Sequence, residues 1–259
     1  MIMVYGALLG GSISFLVFYL ILLVLALMEF YKHKENEGFR VQKYAAFFTS
    51  ILLFSLLFGY ASGMISLKWL SLLMLSPPFM MIRELYRKEE RAFENLAATF
   101  YGIIYIAVPI SLLNLIVFHG DIGDIRYDPG IAIGIFIFIM INDTVAFLVG
   151  VPFGRNKLFE SVSPKKSWEG TVGGGLAVMA VAFFITGLLP LLDRTNWLVV
   201  AVIVVVFGVY GDLVESLFKR RLGIKDSGKL LPGHGGILDR VDSWFFVIPI
   251  AWIYLNFIF

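Results

Sequence analysis

Mostly apolar blocks about twenty residues long recur along this chain, and about 20 such residues at 1.5 Å each are what an α-helix needs to cross the hydrocarbon layer of a bilayer. Eight blocks are read: residues 2–28, 44–60, 65–82, 97–118, 131–150, 171–192, 197–218 and 243–259. Composition agrees. Hydrophobic residues make up 59% and charged residues 15% of the chain, against about 45–50% and about 25% in soluble domains. So few charges cannot cover a water-facing surface, which excludes a soluble enzyme, a disordered chain and a nucleic-acid binder. With no cysteine, disulfides and thiolate metal sites are excluded as well. The expected fold is all-α: a polytopic membrane helical bundle of about eight transmembrane helices, nine at most. It forms one integral membrane domain over residues 1–259, with N-terminal helices in 1–130 and a more polar half in 131–259. No Lys or Arg precedes the first block, so it lacks the basic start of a cleaved signal peptide and is expected to be a retained span.

The basic residues alternate from loop to loop. Lys32, Lys34, Arg40 and Lys43 fill the first loop, and the second has none. Arg83, Arg87, Lys88 and Arg91 lie in the third, Arg155, Lys157, Lys165 and Lys166 in the fifth, and six more in the seventh; the fourth and sixth hold only Arg126 and Arg194. By the positive-inside rule the odd loops are cytoplasmic and both ends of the chain face outward. Lys68, within the third block, has a stem long enough to snorkel. Residues 83–96 read as a charged helical stretch, either a solvated connector or a helix on the inner membrane surface.

Several charges lie where charges are costly. Asp143 follows Asn142 inside an apolar block, and a carboxylate at mid-bilayer costs about 2.5–3.5 kcal/mol on insertion scales. In the seventh block Asp212, Glu215 and Lys219 recur at i, i+3 and i+7, which places two acids and a base on one helix face. Such groups either pair to hold a bundle together or serve a function, and intramembrane carboxylates are functional by default.

Residues 216–242 are the densest polar stretch. A basic inner loop would account for Lys219 to Lys229, but not for Pro232-Gly233-His234-Gly235-Gly236, a backbone able to approach a ligand closely. Nor would it account for Asp239 and Asp242, three apart and on one face if helical. Paired carboxylates with oxygen-only neighbours suit Mg²⁺, which binds one or two carboxylates plus phosphate oxygens and water. Lys and Arg beside them suit phosphate. In the fifth loop, Ser163-Pro164-Lys165-Lys166-Ser167 ahead of a helix start at Thr171 offers the parts of an anion site, and topology puts it on the same side as the seventh loop. Gly173-Gly174-Gly175, with Gly170 four before Gly174, reads as close helix packing rather than a phosphate loop. His33 and His119 have no partner spacing and receive no role.

The stretch 216–242 resembles the signature of the phosphatidate cytidylyltransferases (CDP-diacylglycerol synthases). Its fixed positions are met at Ser216, Lys219, Arg220, Lys225, Asp226, His234, Gly235, Gly236, Asp239, Arg240 and Asp242. The likeness continues upstream at Asn142-Asp143-Thr144, Phe153-Gly154 and 163–170. The first 130 residues share only the polytopic character.

The resemblance implies a membrane enzyme joining CTP to phosphatidic acid, giving CDP-diacylglycerol and pyrophosphate with Mg²⁺ and room for a second cation. The nucleophile would be the lipid phosphate itself, so no triad is expected; the difficulty is bringing two polyanions together. Implied metal ligands are Asp212, Asp239 and Asp242, with Asp143 a further acid. Lys219, Arg220, Lys225 and Arg240 would neutralise phosphate. Ser163, Lys165, Lys166, Ser216, His234, Gly235 and Gly236 would hold substrate. The partners are CTP, phosphatidic acid and membrane lipids, with no nucleic acid, and the glycine-rich spans leave room for a homodimer. The implied site is a cavity open to the cytoplasm in the C-terminal half, at a bacterial-type inner membrane. Alternatives are a cytidylyltransferase for another anionic lipid, isoprenoid or ether, and an ion-coupled transporter using Asp143, Asp212 and Glu215.

Overall fold

The computed structural model describes residues 2–120, 124–224, 227–228 and 235–259. It is helical almost throughout. Among the described residues, seven helices are long and apolar enough to cross a membrane: Ser12–Asn36, Lys43–Ala61, Ala92–Val117, Gly130–Phe153, Trp168–Ile185, Arg194–Arg221 and Leu238–Ile258. The chain divides into two compact units, Met1–Tyr127 with Asp226–Asp239, and Asp128–Lys225 with Arg240–Phe259. The division falls near residue 130, but part of the signature stretch goes with the N-terminal unit.

In the first unit, the expected first span is two helices, α1 (Ile2–Leu9) and α2 (Ser12–Asn36). They break at Gly11, whose φ of 92° is left-handed backbone that favours glycine. Helix α3 (Lys43–Ala61) follows. Residues 65–82 do not form the single long helix expected. They contain a 3₁₀ helix, Leu67–Leu75, and most of a short α4 (Ser76–Arg87). Pro77 and Pro78 are the cause: without N–H groups they fit only a helix's first turn, so the helix restarts there. The segment still runs back along α3. Gly59, near the end of α3, packs on Ile65, while at its start Gln42 Nε2 donates to Met80 O (2.9 Å) and to the buried Glu84 carboxylate (2.6 Å). Nine 3₁₀ and twelve α residues span roughly 36 Å, enough to retrace α3. Residues 65–82, the expected third span, are not among the seven candidate spans.

The charged stretch 83–96 is not one helix. It breaks after α4 at Lys88, whose φ is 55°, and resumes as α5 (Ala92–Gly102). A π turn at Ile103–Ala107 leads into α6 (Val108–Leu112) and α7 (Asn114–Val117). The lost donor of Pro109 explains the locally widened ladder. A small hairpin pairs β1 (Phe118–His119) with β2 (Arg126–Tyr127), and Tyr127 Oη donates to Leu8 O at 2.8 Å.

The second unit is built from α8 (Gly130–Phe153), the hairpin β3 (Lys157–Phe159) and β4 (Ser163–Ser167), α9 (Trp168–Ile185) and α10 (Arg194–Arg221). The short α11 (Leu238–Val241), whose first two residues go with the first unit, precedes α12 (Trp244–Ile258). Here the glycine reading holds. A Cβ at Gly174 would meet Asn142 O at 2.7 Å, one at Gly170 would meet Ala146 O at 2.6 Å, and one at Gly173 would meet Val149. Small residues on α9 thus let its backbone lie directly on α8, the contact that matters most where lipid supplies no hydrophobic drive between helices. Phe136 packs in a tilted contact on the buried Trp244, with ring centroids 4.3 Å apart, and Phe138 meets the buried Trp197 edge-on.

Candidate metal and phosphate site

Helix α10 presents Asp212, Glu215 and Lys219 along one face, as their spacing requires. Glu215 is only 2% exposed and pairs with Lys219 Nζ at 2.5 Å. Ser216 Oγ donates to Asp212 Oδ1 at 3.2 Å, fixing that carboxylate's rotamer. Between α11 and α12, Asp242 Oδ1 accepts from the backbone N–H of Ser243 at 2.7 Å and from its hydroxyl at 3.3 Å. Gly211 lets the two elements meet: its missing Cβ would stand 2.8 Å from Asp242 O and 2.9 Å from Ser243 Cα. As a result one carboxylate oxygen from each of Asp212, Glu215 and Asp242 lies within 4.8 Å of the others.

Lys166, on β4, ion-pairs with Asp212, and Arg220 Nε donates to Val162 O at 3.2 Å. The fifth-loop cluster and the α10 cluster therefore meet, as their shared membrane side suggested. Lys165 points the other way and is exposed, the alternation a strand imposes. Helix α9 starts at Trp168 rather than Thr171, and Ser167 caps it by accepting from Gly170 N at 3.2 Å. Its first-turn Glu169 accepts from the backbone N–H groups of Arg155 and Asn156. Asp143, on α8, lies within electrostatic reach of Asp212, Asp242 and Lys166.

Three carboxylates this close repel by roughly 3–4 kcal/mol per pair at an effective dielectric of 20. Lys166 and Lys219 offset part of that. Four acids (Asp143, Asp212, Glu215, Asp242) and two lysines leave a formal charge of −2, which one divalent cation cancels. The donors are all oxygen, and opposite ligands of an octahedral Mg²⁺ stand about 4.2 Å apart, so three oxygens within 4.8 Å fit with a few tenths of an ångström of adjustment.

Asp239 lies in the other unit. Its Oδ2 accepts two backbone N–H bonds, from Ser227 at 2.9 Å and Gly236 at 2.8 Å. The missing Cβ of Gly236 leaves space taken by the Glu29 carboxylate and Ser227 Oγ, so among the described residues this glycine accommodates a side chain of the same chain. Glu29 Oε2 accepts from Ile237 N at 2.7 Å, and His33 Nε2 bonds Ser227 O. Glu29 and His33 received no role from sequence, and Glu215 was placed on the right face without being counted a ligand. Arg240 sits in α11. Lys225 and His234 lie outside the described residues.

The profile of the cytidylyltransferase family matches residues 1–258. The chain belongs to the cytidylyltransferase family. It is similar to proteins named phosphatidate cytidylyltransferase from Staphylococcus haemolyticus (43% identical over 122 residues, 46% of this chain) and Haemophilus influenzae (40% over 132 residues, 48% of this chain). Another such relative is that of Staphylococcus epidermidis (45% over 122 residues, 46% of this chain). The match spans just under half of each relative's length, 46% in all three. Carboxylate oxygens beside lysines are groups that a divalent cation and a phosphate can use.

Proposed function

We propose that this cytidylyltransferase joins CTP to phosphatidic acid, releasing pyrophosphate and forming CDP-diacylglycerol. The names of its relatives support the lipid, and the convergence of Asp212, Glu215 and Asp242 beside Lys166 and Lys219 carries the chemistry. A phosphate oxygen of the lipid attacks the α-phosphorus of CTP in line. The new P–O bond forms as the bond to the β-phosphate bridging oxygen breaks, and that electron pair leaves with pyrophosphate. No proton need be abstracted, because the nucleophile is already an anion.

Positioning and charge neutralisation therefore supply the rate. Mg²⁺, when bound, would screen the approaching phosphates from one another. Asp212, Glu215 and Asp242 would hold it, with Asp143 in electrostatic range and Asp239 a further acid from the signature. Lys166 and Lys219 each pair with a carboxylate of this cluster, so each is placed to exchange that partner for a phosphate oxygen. Arg220 and Arg240 extend the positive surface toward the departing pyrophosphate, with Lys225 and His234 further contributors. Ser163, Lys165, Ser216, Gly235 and Gly236 complete the substrate-binding set.

The loop charges support a site on the cytoplasmic side, where CTP is available, and the bacterial relatives support an inner membrane. A homodimer would need a face other than Gly170, Gly173 and Gly174, which pack against α8. Purified protein incubated with CTP labelled in the cytidine, Mg²⁺ and a panel of lipid phosphates should label phosphatidic acid in preference to isoprenoid or ether phosphates. Preference for another lipid phosphate would change the substrate and leave the transfer chemistry in place.

A further inference from the structure

We infer that Glu29 and His33 of α2 are positioning residues: one turn apart on a helix of the N-terminal half, they hold the backbone that orients the signature carboxylate Asp239. The functional consequence rests on the reading of Asp239 given above. Two contacts join elements far apart in sequence. Glu29 Oε2 takes the N–H of Ile237, 208 residues away, at 2.7 Å, and His33 Nε2 bonds the carbonyl of Ser227, 194 residues away. The i, i+4 spacing on α2 puts both side chains on one face.

The backbone they hold is the backbone that holds Asp239. Ser227 offers its carbonyl to His33 and its N–H to Asp239; Gly236 offers its N–H to Asp239, and the next residue offers its own to Glu29. The fit leaves no room for a side chain. A methyl at Gly236 would overlap Glu29 Oε1 and Ser227 Oγ, and one at Gly228 would overlap Glu29 as well. Gly228 and Gly236 thus have a partner in Glu29. A carboxylate in a candidate membrane span costs about 2.5–3.5 kcal/mol at mid-bilayer and less toward its end, and Glu29 lies two turns from the end of α2. A charged acceptor makes the stronger bond to an N–H, which accounts for a carboxylate here.

Hydrogen–deuterium exchange on the full-length protein in detergent reads the placement without any turnover. In Glu29→Ala the amides of Gly236 and Ile237 should exchange at least ~10-fold faster, with the thermal midpoint within a few degrees of wild type. Turnover should fall ~10- to 100-fold, the range for losing a supporting group behind a site residue. That loss should appear in kcat, with KM for CTP little changed. Glu29→Gln and His33→Gln, which keep an acceptor and a donor respectively, should restore most of both readouts; His33→Ala should not. Unchanged protection in Glu29→Ala overturns the inference, as does wild-type kcat despite lost protection. Wild-type protein without cytidylyl transfer would instead overturn the proposed function, and the exchange data would still decide whether Glu29 holds this backbone.

Discussion

The backbone of α10 at Gly211 passes so near Asp242 that a methyl group on Gly211 would stand 2.8 Å from the Asp242 carbonyl oxygen. Gly211 precedes Asp212, so one close approach sets the separation of two carboxylates. Overpacking of this kind costs about 1–3 kcal/mol. Gly211→Ala should lower the unfolding midpoint modestly and raise the Mg²⁺ concentration for half-maximal turnover. Titrating Mg²⁺ in the transfer assay checks it: an unchanged Mg²⁺ dependence would mean that the close approach does not set the site.

Glu215 and Lys219 separate stability from activity. Removing one partner of a buried ion pair costs about 3–5 kcal/mol, whereas replacing both with apolar groups of similar size is often neutral. Glu215→Leu should destabilise the protein, and the double variant Glu215→Leu/Lys219→Met should regain most of that stability while staying inactive. A double-mutant cycle of thermal midpoints, alongside turnover, measures both effects. An active double variant would remove this pair from the site.

Lys166 pairs with Asp212, a carboxylate proposed to hold a cation, so its proposed task is to meet a phosphate. Lys166→Met should raise KM for CTP or phosphatidic acid about 10-fold or more, roughly the 1.4 kcal/mol of one modest charge contact. Steady-state kinetics against each substrate assign the contact; unchanged KM values with normal kcat would leave Lys166 a structural partner of Asp212.

At the packing seam, Gly174→Val should disrupt α9 against α8 at Asn142, because its Cβ would meet Asn142 O at 2.7 Å. Loss of folded protein, followed by size-exclusion chromatography in detergent, should exceed that of Gly187→Ala, a position whose nearest neighbour lies at 3.6 Å. Equal yields would contradict the seam.

Periodicity along single elements was legible. The crossing blocks, the face carrying Asp212, Glu215 and Lys219, and the glycines that fit α9 to α8 all follow from spacing within one helix. The expected third span did not form as one helix, because Pro77 and Pro78 break a block whose hydropathy alone looks continuous. The break at Gly11 is of the same kind. Contacts across long sequence separation left no periodic trace: nothing near Glu29 announces that its carboxylate meets Ile237, and nothing in the Asp239–Asp242 spacing announces that Asp239 binds backbone N–H groups in one unit while Asp242 meets Asp212 and Glu215 in the other. Glu215 was visible on that face, but spacing alone does not separate an ion pair with Lys219 from a cation ligand.

If converging carboxylates bind a divalent cation that lets two phosphates react, the direct measurement is transfer of label from cytidine-labelled CTP into the lipid phase by the purified protein. Lipid-soluble label should require phosphatidic acid and appear one for one with pyrophosphate. It should stop in excess EDTA, return on adding Mg²⁺, and fall by at least ~100-fold in folded Asp212→Asn or Asp242→Asn protein. Label that persists undiminished in EDTA, or wild-type rates in both variants, would contradict it.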